Sequence, residues 1–429
     1  MARQMKDSGV EWIGEIPAHW DIAKVGYFYD IQLGKMLQPT QQSSDDVLAK
    51  YLCAANVGSN QLKYTPLKEM WFSPSELESL KVQKGDMLVV EGGDVASCDI
   101  VNDDVGELYF QNALHRVRPI ADCDIRILKY WLWMTKGIGH IDLICNKATI
   151  AHFSKEKFIA LPIVVLPLPE QRRIAAFLDR RCAEIDAVIE RTKATIEEYK
   201  KLKQAVITEA VTKGVRGPRT MQDSGIEWIG EIPETWNVVR IKNLFDYRNE
   251  RNYAPLEEVN LISLYTDKGV VQHCDLEETT GNKASNADGY KLVYEDDIVV
   301  NIILCWMGAI GRSAYNGVTS PAYDVYAPMP GTNSRFYHHL FRTQGFSGDC
   351  YKVGRGIMAM RWRTYSDQFR ALKVVCPPTE EQEEIIAYLD EKCAALDTLI
   401  VKKSALLTEL ETYKKSLIYE YVTGKKEVL

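Results

Sequence analysis

The chain has 429 residues, yet no run in it approaches the ~20 apolar residues needed to cross a membrane as a helix. Its opening, Met1 to Val10, is polar and lacks a secretory signal pattern, so a cytoplasmic protein is expected. The ten cysteines stand singly, with no Cys-x-x-Cys and no tight Cys/His cluster. That argues against a disulfide framework or a zinc site and for reduced thiols. There is no G-x-x-x-x-G-K-[ST] phosphate loop and no [DN]-P-P-[YF], the phrase that grips a target amine in amine methylation. The glycine pairs in Glu91-Gly92-Gly93-Asp94 and Gly354-Arg355-Gly356 lack the strand-to-helix context of a nucleotide loop. His338 and His339 are adjacent, so they cannot share one helix face toward a metal, and they read as a surface pair. Asp103-Asp104 and Asp296-Asp297 read as strand-end or turn acids rather than an acid/base couple. No catalytic constellation is visible. The net charge of −7 also denies the chain a generally basic surface, so any affinity for nucleic acid must come from local groups or from partners.

What is present is one long helix written twice, over about Glu170–Thr212 and Glu381–Thr423, uninterrupted by Pro or Gly. The first apolar stripe runs Leu178, Cys182, Ile185, Ile189, Thr192, Ile196, Tyr199, Lys203, Val206. The second runs Leu389, Cys393, Leu396, Ile400, Lys403, Leu407, Leu410, Lys414, Leu417. Steps of four and three alternate, the seam of a coiled coil. Each helix would span roughly 60 Å at ~1.5 Å per residue. Pro169 suits the first helical position, Thr379 with Gln382 reads as a capping box, and Gly214 and Gly424 follow the ends. A narrow stripe left wet forfeits roughly 1.5–3 kcal/mol per Leu or Ile. The copies are therefore expected to pack on each other through Leu178, Ile185, Ile189 and Ile196 and through Leu389, Leu396, Ile400 and Leu407. A parallel pair would set Lys203 against Lys414, and an antiparallel pair separates them. The alternative is that each helix packs only on its own domain.

A second repeat frames the first. Met5-Lys6-Asp7-Ser8-Gly9-Val10-Glu11-Trp12-Ile13-Gly14-Glu15-Ile16-Pro17, followed by Trp20, returns as Met221 to Pro233, followed by Trp236. Near-verbatim repetition at this period means two copies of one unit: box, globular stretch, helix. The box is loop and turn, either a docking surface or a clasp whose tryptophans pin it to a neighbouring element. Symmetry places the N-terminal box beside the end of the second helix, with Met5 near Thr423. The expected divisions are box 1–20, domain 21–166, helix 167–213, linker and second box 214–236, domain 237–377, and helix with tail 378–429. Strand-like runs at Asp86–Val90 and Asp297–Val300 and helix candidates at Ile125–Thr135 and Ser334–Thr343 make each domain mixed α/β. Beyond these landmarks the two interiors barely match, as expected if each reads a different target.

The stretch Tyr351–Lys373 gathers Lys352, Arg355, Arg361, Arg363, Arg370 and Lys373 against Asp367, with Trp362 and Tyr365 interleaved. Arg forks onto guanine edges or grips phosphates, and Gly354 and Gly356 permit close backbone approach. The bland alternative is a solvated basic face. The matching first-copy stretch, His140–Pro162, is nearly neutral but offers Asn146, Lys147, Thr149 and His152. Two different half-sites would produce such an asymmetry.

Four residue sets, each present twice, resemble the specificity subunit of type I DNA restriction–modification systems over essentially the whole chain. They are the W-I-G-E-I-P box with its Trp, the phrase Leu166–Gln171 echoed by Pro377–Gln382, the run Ile174–Asp186 echoed by Ile385–Asp397, and the long helix. The resemblance implies two target-recognition domains, each reading half of a split site on double-stranded DNA, joined by antiparallel coiled-coil helices that set the gap. It implies a cytoplasmic bacterial or archaeal protein with no catalysis of its own. Two methylase subunits would dock on the helices, and restriction subunits would join through them. S-adenosylmethionine, ATP and Mg²⁺ would belong to those partners. The second domain is Arg-rich beside its counterpart, so base contacts do not transfer by position; Lys147, Thr149, His152, Lys352, Arg355, Arg361 and Arg363 are the expected DNA-contacting residues. The competing readings are a structural coiled-coil adaptor and a nuclease with an unrecognised site.

Overall fold

The computed structural model describes residues 3–58, 61–145, 151–273, 286–356 and 362–428. The chain divides into two compact units, one made of Met1–Lys193 with Ala405–Leu429, the other of Ala194–Ser404. Both divisions fall inside the long helices, which run Leu168–Lys213 and Thr379–Val422.

In the first unit the strands Tyr29–Leu33, Leu114–Pro119, Met87–Val90 and Cys98–Ile100 lie side by side in that order, all antiparallel. Met87–Val90 is apolar at every position because both its faces are covered, the pattern of a fully buried strand. Met87 and Val89 join a core with Trp131 of the helix Ile125–Gly137. Leu88 and Val90 point the other way, to a core with Phe72 and Phe110. That second core belongs to an outer sheet of Lys68–Phe72, Val47–Leu52 and Tyr109–Phe110.

The second unit repeats the inner frame strand for strand: Phe245–Arg248, Tyr323–Pro328, Ile298–Asn301 and Ile310–Arg312, again antiparallel in that order. Ile298 and Val300 enter a core with Phe336 and Tyr337, while Val299 enters a smaller one with Ile262 and Val293. The outer layer differs. A hairpin, Ile262–Tyr265 with Gly269–Gln272, and a separate two-stranded ladder, Lys291–Val293 with Gly317–Thr319, replace the outer sheet. Duplication therefore reaches further than the sequences suggest, because a sheet needs only the buried alternation, not the same residues. Divergence concentrates on the outer face.

The boxes are clasps. In the first unit Met5–Asp7 pairs with Glu15–Pro17, and Trp20 is fully buried. The Trp20 indole donates to Glu170 at 3.0 Å, in the first turn of the long helix, where Arg3 and His19 also reach the same carboxylate. Burial raises that carboxyl's pKa, but the bonds from His19, Trp20 and Arg3 outweigh it and hold Glu170 below the ordinary range. In the second unit Glu381, fully buried, meets Arg219 at 2.5 Å beside the buried Trp236. Each tryptophan also abuts the glycine that ends the other helix. A Cβ on Gly424 would strike Pro17, and one on Gly214 would sit 3.2 Å from Trp236. Both glycines have positive φ, +72° and +77°, where any other residue is strained. Lys425 Nζ donates to Ile13 O at 3.1 Å, so the N-terminal box does lie beside the end of the second helix.

Within each unit the long helices run antiparallel. In the first, Phe177 faces Tyr421 with ring centroids 4.4 Å apart, and Asp186 accepts from Lys414 at 2.7 Å. In the second, Arg216 bonds Glu384 and Lys203 bonds Asp397, both at 2.7 Å. Asp186 and Asp397 hold the same place in the repeat, as do Lys203 and Lys414, so one ion pair is made twice. Two expectations of detail fail. Gln382 makes no capping box with Thr379: its Nε2 donates to Pro377 O at 2.8 Å and its Oε1 accepts from Asn333 N at 3.0 Å. Gln171 does the same with Leu166 O and Asp124 N. The long amide spans two elements and ties each long helix to the cap of the short helix beside it. His338 and His339 are not a surface pair. The helix Ser334–Phe341 packs against the strand Ile310–Arg312, His338 Nδ1 accepts from Arg312 N at 3.1 Å, and burial drives the two imidazoles down to about 3 and about 4.

Asp186→Lys should destabilise the first unit by about 2 kcal/mol, between the limits for exposed and buried pairs. Adding Lys414→Asp should recover most of that loss in urea unfolding. Acidification gives a second check. The Glu170 contribution is fully present above the unfolded carboxyl value of about 4.3 and is lost as pH falls through its lower folded value. Stability measured against pH should therefore fall less steeply there in Glu170→Gln.

Candidate nucleic-acid interface

In the second unit the helix Gln344–Val353 ends at Gly354, and beyond it Arg355 and Arg363 pair antiparallel as the base of a narrow ribbon. Arg355 N donates to Arg363 O at 2.8 Å and Arg363 N to Arg355 O at 3.0 Å. Residues that exchange both bonds stand directly opposite, with side chains on one face. Both arginines are exposed. The ribbon's root is rigid. Thr364 N donates to Ile302 O at 2.8 Å, at the end of the central strand, and Thr364 Oγ1 to Cys350 O at 2.9 Å. Trp362 stacks on Tyr351 at 5.2 Å and donates Nε1 to the Tyr351 carbonyl at 3.0 Å. Trp306 closes the stack against Tyr351 at 5.5 Å.

The first unit builds the same root with different chemistry. Phe153 N donates to Glu91 O at 2.7 Å, the counterpart of the Thr364 bond, and His115 Nε2 holds Phe153 O at 2.8 Å. Burial lowers the His115 pKa, so its imidazole is a neutral donor there. His152 then occupies the place of Arg363 and bridges Gly92. Its ring is exposed, but Nδ1 lies 3.0 Å from the Glu91 carboxylate. The equivalent positions thus carry, in one unit, a guanidinium with no carboxylate partner among the described residues and, in the other, an imidazole beside an acid. Counting along the repeat brings Arg363 onto His152; the acid beside His152 is distant in sequence and had no signal.

The basic stretch does not stay together. Lys352 pairs with Glu227 of the second box at 2.7 Å. Arg370 turns toward Asp246, 3.9 Å away, and Lys373 joins the strand Lys373–Cys376 against Asn237–Arg240. Of the expected DNA-contacting residues, Lys147, Thr149 and Arg361 lie outside the described residues, as does Asn146. Among the described residues no carboxylate pairs with Arg355 or Arg363, and no group of three His, Cys, Asp or Glu could hold a metal.

The helix residues fall as follows. Leu178, Ile185 and Ile189 are buried in the first unit's core with Leu417, Ile418 and Val422, and Leu407 packs partly buried against them. Leu389 is buried in the second unit's core with Ile207 and Val211. Ile196 is buried, while Leu396 and Ile400 are half-buried.

Residues 233–409 match the family described as "Type I restriction modification DNA specificity domain". The chain is 33% identical over 306 residues to the MjaVIII type I restriction enzyme specificity subunit of Methanocaldococcus jannaschii, covering 68% of this chain and 66% of that protein. It is 22% identical over 319 residues to the EcoBI specificity subunit of Escherichia coli, covering 67% and 63%. The alignments thus span just under two thirds of these curated relatives. Among solved structures, a chain from a type I R-M system studied for its complex assembly and conformational transition superposes with a TM-score of 0.68 at 13% identity, covering 96% of this chain and 99% of that one. The HsdS subunit of Thermoanaerobacter tengcongensis gives 0.52 at 14%, covering 96% and 98%. These likenesses show the fold: mixed α/β globular parts with two long helices.

A Cβ on Gly354 would lie 2.3 Å from Trp362 Nε1. Gly354→Ala should therefore break the Trp362–Tyr351 stack at a cost of about 1–3 kcal/mol, the usual range for overpacking. Protease nicking within the ribbon should rise while global unfolding shifts only slightly; an unchanged nicking rate would mean that the stack does not hold the ribbon.

Proposed function

We propose that this chain is a specificity subunit of a type I restriction–modification system, the non-catalytic reader of a split DNA site within such a complex. Each unit reads one half of a bipartite sequence on double-stranded DNA. The long helices set the number of base pairs between the halves and offer docking surface to two methylase subunits, through which restriction subunits join. S-adenosylmethionine, ATP and Mg²⁺ act on those partners. His152 and, where they lie beside it, Lys147 and Thr149 serve one half; Arg355 and Arg363, with Arg361 and Lys352, serve the other.

The observation that carries this reading is the contrast between the duplicated frame and the different reader positions mounted on it. A frame repeated down to the strand order holds two roots in the same way, yet one presents His152 beside Glu91 and the other Arg355 opposite Arg363. A structural adaptor has no need of unlike outer layers on like frames. A reader of two unlike half-sequences requires them.

Local cations also reconcile the acidic total with DNA. Phosphate attraction depends on the groups that face the duplex, not on net charge, and methylase subunits can supply the remaining basic surface.

Paired four-residue insertions, one in each long helix and the first within Glu190–Thr195, should lengthen the gap and leave both half-sequences unchanged. Sequencing methylated positions in cells expressing the complex checks this. An unaltered gap would reject the helices as the spacing element.

A further inference from the structure

We propose that Arg355 and Arg363 act together as a guanine-reading pair that enters the major groove on the ribbon's exposed face. The inference rests on the DNA-reading role above and names the base that the second unit recognises.

Three observations carry it. First, two arginines stand directly opposite each other, on Cα atoms about 5.5 Å apart as in any such hydrogen-bonded pair. Like charges placed opposite one another destabilise a ribbon, and among the described residues no carboxylate offsets this pair. The acids met by the other cations and by the preceding helix are engaged there: Glu227 with Lys352, Asp246 toward Arg370, and Asp349 with the Trp228 indole at 2.7 Å. An energetic cost kept without an internal counter-ion points to a ligand that supplies the acceptors.

Second, the ribbon is prearranged. Its two strands are rooted on Cys350 and Ile302 carbonyls and braced by the Trp362–Tyr351 stack. A rigid root lets a side chain read geometry rather than merely attract charge. Trp362 is accordingly a positioning residue.

Third, the shape and donors fit one base edge. The major groove of B-form DNA admits a two-stranded ribbon, and there guanine presents two acceptors, O6 and N7. The planar guanidinium fork matches that pair, whereas a lysine ammonium in its place is a point charge. A phosphate would also accept from these arginines, and the two ligands separate in the test.

The full chain in complex with its methylase subunits is used to select its site from randomised duplex DNA. Binding is then measured for Arg355→Lys, Arg363→Lys and the double Arg→Gln variant, each with guanine or 7-deazaguanine, which lacks the N7 acceptor. A guanine in one half-site is expected. Replacing it with 7-deazaguanine should weaken wild-type binding about tenfold or more, and the Lys variants should lose preference at that position by a similar factor while keeping the same salt dependence. The other half-site should not respond.

If the Lys variants keep full preference and only the Gln variant weakens binding, evenly across sequences and with a shallower salt slope, the pair grips phosphate and the guanine assignment is wrong. If the Gln variant changes neither affinity nor preference, the ribbon does not meet DNA and the assignment is equally wrong. Failure of the wild-type complex to select any sequence would instead overturn the DNA-reading role itself.

Discussion

A buried carboxylate in the first turn of each long helix is the constraint from which the rest follows. Glu170 is nearly enclosed and Glu381 fully so, and each meets an arginine there, which matters because a buried carboxylate left unpaired is costly. Arg3 and Arg219 come from the segments that open each box, and the tryptophan that closes each box stacks beneath the guanidinium. In one contact the box, the start of one helix and the end of the other are fixed. The glycine after each helix is needed because a side chain there would collide with that same cluster. The helix seam then needs little further instruction, and a single Lys–Asp pair, made once in each unit, accompanies the antiparallel direction.

From that anchor the inner frame is carried outward by one amide. Gln171 and Gln382 bond the caps of the short helices, and those helices cover the inner face of each central sheet. The central strand, Met87–Val90 or Ile298–Asn301, is buried on both faces, so one face is committed to the frame and the other to whatever lies outside it. Sequence can change on the outer side without disturbing the anchor. This explains physically how a duplicated frame holds unlike outer layers: a three-stranded outer sheet in one unit, two two-stranded ladders in the other.

How much of this the sequence disclosed follows from the same division. The helices and boxes were legible because their contacts demand particular residues, and those residues recur almost unchanged. The shared sheet order was not, because it depends only on alternating burial, which many sequences satisfy. The capping-box reading of Thr379 and Gln382 failed because local pattern cannot show that an amide has a distant backbone N–H to accept from. The surface reading of His338 and His339 failed similarly: adjacency says nothing about the strand packed against His338 or about the burial of both rings. The basic stretch was legible as composition but not as a surface. The five described cations of that stretch fall on a helix end, a ribbon, another helix and a strand, and Lys352 and Arg370 turn toward acids that lie far away along the chain.

That dispersal is what gives the two remaining arginines their meaning. Cations that are close in sequence can each meet a different carboxylate, so a patch read from sequence overstates the free charge. Arg355 and Arg363 differ in kind from the others because they are opposed to each other rather than to an acid, on a segment whose root is locked by two backbone bonds and an aromatic stack. His152, at the equivalent place, lies beside the Glu91 carboxylate instead. A reader that relied on bulk charge would be built alike on both sides, since phosphate is the same everywhere along a duplex. Unlike charge at equivalent positions is therefore an argument for base edges, because only there do the two halves of a site differ.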